Sequence, residues 1–518
     1  MRNLVAAAFA LCAMALALPA LAQTPPNVLI VGQIAEPKSL DPQAVTATND
    51  FRILMNVYDG LVRFKQGTLE VEPALAKSWD ISDDGTTYTF HLRDDVTFQD
   101  DTPFDAEAVK FTFDRMLKDD HPFHDTGPFP LAFFFSQVDE VTAKDAQTVV
   151  FKLKEPFAPF LSNLAYPTGL IVSPAAVKEY GQDFGRHPVG TGAFKFEGWD
   201  PNSKVVVSRN DDYWDGAPQI EAVVFRPIAD ANTRVAEMLS GGIDLMVEVP
   251  PDGLGQFRDD ANYKVYEEAG PHLWFLILNT KEGPFSDKRV RQAVNYAIDK
   301  KALTEDVLQG TATIADGPIP AAFEWANDGS VEPYPYDPEK AKELIRAAGA
   351  EGKTLTFYVP EGGSGMLDPV AMATAIQADL KKVGLDARIQ TYEWNTYLAN
   401  VNPGLQGKAD MAEMAWMTND PDTLPFLALR TEAMPDKGGF NSGYYSNPEV
   451  DKLLDEARRT TDQKKRGELY GQVQQIVHDD APWAFVANWK QNAVSTAGVQ
   501  GFELEPSFLL VLKDVTKG

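Results

Sequence analysis

The chain of 518 residues is 44% hydrophobic and 24% charged, values ordinary for packed globular domains, and at roughly 100 to 200 residues per domain it has room for about two to four of them. Disorder and collagen-like repetition are excluded as the main architecture. The 75 Asp and Glu outnumber the 47 Lys and Arg, for a net charge of -28, which opposes nucleic acid or an anionic membrane as a partner, because either must be met by a basic surface. The single cysteine, Cys12, rules out an intramolecular disulfide, a zinc ribbon, an iron–sulfur site and Cys-x-x-Cys redox chemistry.

In chain order, residues 1–22 carry one basic residue, Arg2, then the apolar run 4–18, then PALA (19–22) before Gln23. This is the pattern of a cleaved secretory signal peptide, too short to span a bilayer. Cys12 sits inside the apolar run after Leu11, where a lipoprotein signal needs a small residue, so a lipid anchor is not expected. A disulfide-free exported protein is.

The apolar run 28–34 predicts a strand feeding the loop EPKSLDP (36–42), whose two prolines forbid helix. Alternation in YTFHLR (88–93), and again at 149–153, predicts half-buried strands of a small early sheet. LWFLIL (273–278) predicts a buried strand. Further on, Ser286 or Asp287 is placed to cap a helix burying Val290, Ala293, Val294, Ala297 and Ile298; Asp337 and Pro338 start another that Gly349 ends. Helix 370–382, strand 386–391 and a late helical pair around Leu453 and Val473 follow. Strands alternating with helices predict an α/β fold on a largely parallel, helix-covered sheet.

Catalytic and cofactor motifs fail one by one. His121 and His124 are separated by a proline that breaks the helix a zinc pair would need. GTGAFK (190–195) lacks the third glycine of a dinucleotide loop, and GGSGM (362–366) has Met366 where a nucleophile elbow needs glycine. No cofactor is expected. The segment AWMTNDPD (415–422) is more informative: it sets an aromatic and two carboxylates on a proline-stiffened loop after an apolar strand, able to offer a carboxylate to a cationic ligand group beside an apolar wall.

Several ordered motifs resemble the family of periplasmic substrate-binding proteins of ATP-binding-cassette importers for dipeptides, oligopeptides and nickel chelates. They are EPKSLDP (36–42), YTFHLR (88–93), DAEAVK (105–110), FDR (113–115), PVGTGAF (188–194), RN (209–210), YW (213–214), FSDKRVRQAV (285–294), YDPEKA (336–341) and YEW (392–394). The resemblance runs over the whole mature chain. It implies a large two-lobed periplasmic-binding-protein fold (type II, Venus-flytrap) with an extra domain inserted in lobe I. Residues 23–63, 190–270 and 490–518 would form the lobe I core, 64–189 the insert and 271–489 lobe II. Crossing strands near 269–276 and 484–489 would form the hinge. A non-enzymatic monomer is implied, which closes on a peptide or similar amine-bearing solute and delivers it to the permease of the importer. Opines, glutathione-like peptides and metal chelates are alternative ligands, and a secreted hydrolase is the reading of another class.

Dipeptide binders of this family hold the ligand ammonium with an aspartate after the tryptophan of the segment matching 415–422, which maps onto Asp420, with Trp416, Met417, Thr418, Asn419 and Asp422 around it. The family's arginine for the ligand carboxylate would fall within 360–370, yet no Lys or Arg occurs from 354 to 380. Backbone N–H groups of Gly362 to Gly365, with Gly363 and Ser364 as the expected contacts, can instead form an anion-binding nest or equally give the loop room to approach an uncharged ligand. Ser39, Tyr58, Trp274 and Trp394 complete the expected contacts. On this reading Asp420→Ala costs about 2–5 kcal/mol of affinity for a cationic ligand and little stability.

Overall fold

A computed structural model describes residues 25–518 except 328, 330, 363–365 and 367. The predicted signal peptide, with Cys12, and the candidate contacts Gly363 and Ser364 lie outside the described residues. Among those described, no helix is long and apolar enough to cross a membrane.

The fold is α/β around one eleven-stranded sheet. The predicted helices form where capping and apolar spacing place them: Lys288–Ala297 capped by Asp287, Pro338–Ala347 by Asp337, Pro369–Lys382 by Asp368, then Pro448–Arg459 and Gln463–Asp480. Gly349 follows the second of these at φ +67°, a left-handed conformation that favours glycine. The sheet is mixed rather than largely parallel. Val28–Gln33 runs parallel to Ala222–Pro227 and to Leu245–Val247, and Thr354–Pro360 runs parallel to its neighbours on both sides. Between these groups, however, stand two long antiparallel strands, Tyr263–Leu278 and Trp483–Thr496. Helix–strand alternation in sequence could not reveal that the middle of the sheet is a single long antiparallel pair.

Those two strands pass through both halves of the molecule. One end of the pair, Tyr263 against Thr496, adjoins Leu245–Val247; the other, Ile277 against Trp483, adjoins Met411–Met417. Their ladder shifts register between Ala269 and Leu273, at Gly270 and Pro271, where proline supplies no N–H and a bulge is the expected outcome.

Separate cores flank this crossing. Leu29, Phe51, Phe194, Phe225, Leu509 and Val515 belong to one, so residues near both chain ends share it. Phe90, Phe113 and Phe151 centre another, on a four-stranded antiparallel sheet whose alternating strands are Thr87–Leu92 and Thr148–Leu153. Two more cover opposite faces of the sheet around Leu276 and Phe275.

The segments 36–42, 113–115, 188–194 and 213–214 tie these parts together. Asp59, half-buried and with its pKa raised by desolvation, accepts hydrogen bonds from Thr191 Oγ1 (2.8 Å), Tyr213 OH (2.9 Å) and Trp214 Nε1 (3.0 Å). A Cβ on Gly190 would stand 2.2 Å from the Val57 carbonyl oxygen, so only glycine lets the loop lie this close. In the 36–42 loop, Asp41 receives both terminal nitrogens of Arg115 at 2.9 and 3.0 Å, and Arg115 also reaches Gln43 Oε1 at 2.6 Å. Arg115 lies on the helix Ala106–Leu117, which packs on the small four-stranded sheet, so this buried fork joins the small sheet's core to the first one.

Candidate ligand-binding site

Met411–Met417 is the apolar strand that delivers the 415–422 loop, and it does so beside the register shift of the crossing pair: Met417 stands opposite His272, and Thr418 N donates to Pro271 O at 2.9 Å. A cavity of about 360 Å³ opens there. Leu131, Phe133, Phe134 and Tyr166 wall it from the side of the small sheet, with Thr46. Trp394, Leu398, Trp416, Met417 and Phe440 wall it from the other side, with His272 at the crossing strands between them. Trp416 meets Phe440 edge-on at 5.3 Å between centroids, and Phe134 meets Tyr166 likewise at 5.8 Å. Beyond the cavity the two sides touch. Ser162 Oγ donates to Asp420 Oδ2 (3.1 Å), Asn419 Nδ2 to Asn163 Oδ1 (2.8 Å) and Ala158 N to Arg458 O (2.8 Å), while Arg459 pairs with Glu155 at 3.0 Å.

Of the residues expected from the sequence, this cavity brings together Trp394, Trp416, Met417 and Asn419. The others stand elsewhere, each for a physical reason. Tyr58 is buried, with its hydroxyl on Leu40 O at 3.0 Å. Trp274 is buried against Glu413, donating Nε1 to Oε1 at 2.8 Å, and burial raises the pKa of that carboxyl well above its usual range. Ser39 uses its hydroxyl to accept from Asp41 N at 3.1 Å. Thr418 is buried beneath the loop.

Asp420 departs furthest from expectation. Rather than facing a ligand cation, it is 1% exposed and receives Arg466 Nη2 at 2.7 Å, Ser162 Oγ at 3.1 Å and Asp422 N at 2.9 Å. Burial disfavours the charged guanidinium of Arg466, but the adjoining Asp420 outweighs it and holds that pKa above its usual range. Asp422, 3.5 Å from Arg458 Nη1, has its pKa pushed by burial up to about 6, against the lowering pull of Arg458. The carboxylates of the loop therefore anchor it to the helices behind, Pro448–Arg459 and Gln463–Asp480.

The sequence reading missed His272 and the wall contributed by Leu131, Phe133, Phe134 and Tyr166. A polar residue after Gly270 and Pro271, at the head of the apolar run 273–278, was a signal available for His272. The apolar wall had none, because residues that line a cavity and residues that fill a core have the same composition.

Two lobes joined by two crossing strands, with an aromatic cavity between them, define a clamp-type binding protein. The chain matches the model of the bacterial extracellular solute-binding proteins, family 5 middle, over residues 70–434. It is 34% identical to heme-binding protein A of Haemophilus influenzae over 87% of this chain and 85% of that one, and 32% identical to the dipeptide-binding protein of Escherichia coli over 93% and 92%. Among solved structures it is similar to the periplasmic binding protein DppA of Helicobacter pylori in complex with the peptide STSA, with a TM-score of 0.78, 33% identity and 95% and 98% coverage. The chain belongs to the family 5 solute-binding proteins.

Proposed function

We propose that this protein is the exported, periplasmic receptor of an ATP-binding-cassette importer, a monomer that captures short peptides between its lobes and hands them unchanged to the permease. The cavity bounded by both lobes astride the crossing strands carries this reading. A solute that touches Phe133 and Phe134 on one side and Trp416 and Phe440 on the other favours the closed arrangement over any in which the walls part. Peptide as the ligand class draws support from the dipeptide-binding relative and from the peptide-bound DppA structure. Separate hydrophobic cores support a division into a first lobe from 23–63, 190–270 and 490–518, an insert from 64–189 and a second lobe from 271–489, except that Tyr166, Leu170, Val172, Ala176, Val177 and Phe184 pack in the first lobe's core. Residues 1–22 would serve as a cleaved signal without lipid attachment.

Trp394, Trp416, Met417 and Asn419 are the ligand contacts in this reading. Thermal-shift screening against di- and tripeptides, sugars and amino acids tests it. A peptide at about 100 times its dissociation constant adds roughly 2.7 kcal/mol of stability, and Trp416→Ala removes most of that shift, since buried aromatic anchors dominate such sites. A sugar that shifts the melting curve while peptides leave it unmoved would replace the assigned ligand.

A further inference from the structure

The cavity has an electrostatic character that its aromatic walls do not by themselves require. Among the described residues none that lines it is charged: the polar members are Thr46, Asn402, Asn419 and Thr423, with His272 and the hydroxyl and indole groups of the aromatics. The nearby ions are behind the loop and occupied with one another, Asp420 with Arg466 and Asp422 with Arg458. A zwitterionic solute entering here leaves water with an ammonium and a carboxylate and meets no opposite charge for either, which costs far more than burying neutral amides that find hydrogen bonds.

His272, 2% exposed, is the residue of the wall whose buried side-chain nitrogens lack a hydrogen-bond partner among the described residues. Its ring is fixed by Trp489, edge-on at 5.5 Å between centroids, and by Phe508 at 6.4 Å. Burial pushes its pKa down to about 3, so at neutral pH it offers one donor and one acceptor and no charge. A buried polar group left unpaired destabilises the empty protein, and this one stands where the crossing strands change register.

We propose that the cavity selects short peptides whose ends are blocked or cyclised, carrying an apolar side chain, and that His272 makes the hydrogen bond that orients them. This rests on the peptide-capture reading and narrows it to neutral ligands. Aromatic walls take the side chain, and His272 exchanges a hydrogen bond with a backbone amide.

Calorimetry on the full mature chain with Leu-Phe and with N-acetyl-Leu-Phe-amide tests the proposal. The capped peptide is expected to bind at least tenfold more tightly than the free one. His272→Phe is expected to weaken capped-peptide binding at least tenfold while raising the melting temperature of the unliganded protein, because the unpaired polar group is gone. His272→Gln, which keeps a donor and an acceptor, loses less. Tenfold tighter binding of free Leu-Phe overturns the preference for neutral ligands and leaves peptide capture standing. Full affinity in His272→Phe removes His272 from the site, and failure of both peptides to bind at millimolar concentration overturns both readings.

Discussion

Replacing Asp420 by alanine lowers the free energy of unfolding by about 3–5 kcal/mol, the usual cost of leaving one member of a buried ion pair without the other. Side-chain exposure is 7% for Arg466 and 2% for Asp420, so water cannot take over the role of the carboxylate. Arg466 keeps one side-chain hydrogen bond, to Tyr470 OH at 3.0 Å, with the neighbouring Trp325 ring and the unbonded charge of Asp422, none of which replaces the paired carboxylate. The hydrogen bond from Ser162 across to the second lobe is lost as well. Asp420→Asn keeps an acceptor for Ser162 and should fall between parent and alanine. Pairing Asp420→Leu with Arg466→Met removes both charges and should recover most of the loss, because a well-packed apolar pair often replaces a buried ion pair without penalty. Chemical denaturation of the four proteins reads these differences. An Asp420→Ala variant as stable as the parent, with affinity for a cationic solute reduced by tenfold or more, would restore the ligand role inferred from sequence.

Arg115→Ala is expected to cost a similar 3–5 kcal/mol, for a related reason. Arg115 is fully buried, and its two terminal nitrogens hold Asp41 while one also meets Gln43. Gln43 in turn donates to the carbonyls of Thr168 and Leu170 at 3.0 and 2.8 Å, so one guanidinium organises the 36–42 loop, the insert helix and the chain returning from the insert. Arg115→Lys should recover less than half of the loss, because an ammonium cannot present two parallel N–H groups to one carboxylate. Equilibrium unfolding compares the three; a lysine variant as stable as the parent would show that charge alone holds this junction.

How far the sequence reached follows from what kind of signal each feature leaves. Helices with Asp or Asn caps and 3.6-residue apolar spacing are local, and Asp287, Asp337 and Asp368 cap the helices they precede. The antiparallel crossing pair is not local: Tyr263 and Thr496 are neighbours only after folding, so local alternation suggested a largely parallel sheet. Within the site, the 415–422 loop was found because its composition is unusual, and it does supply Trp416, Met417 and Asn419 to the cavity. The roles inside the loop were inverted, however. Its apolar members face the cavity and its acids face inward, since Arg466 and Arg458 lie on helices whose proximity no short-range pattern encodes. Tyr58 and Trp274 were chosen for size, and large aromatics fill cores as readily as they line clefts; each found a buried hydrogen-bond partner there.

In the proposed function a peptide is enclosed between the lobes and released as it entered. Mass spectrometry of solute freed by denaturing protein purified from peptide-rich medium measures this most directly. The expected result is one or a few short peptides of unaltered mass, near one per chain, that are absent from Trp416→Ala prepared in parallel. Recovery of cleaved fragments, or of the same solute in equal amount from Trp416→Ala, would contradict it.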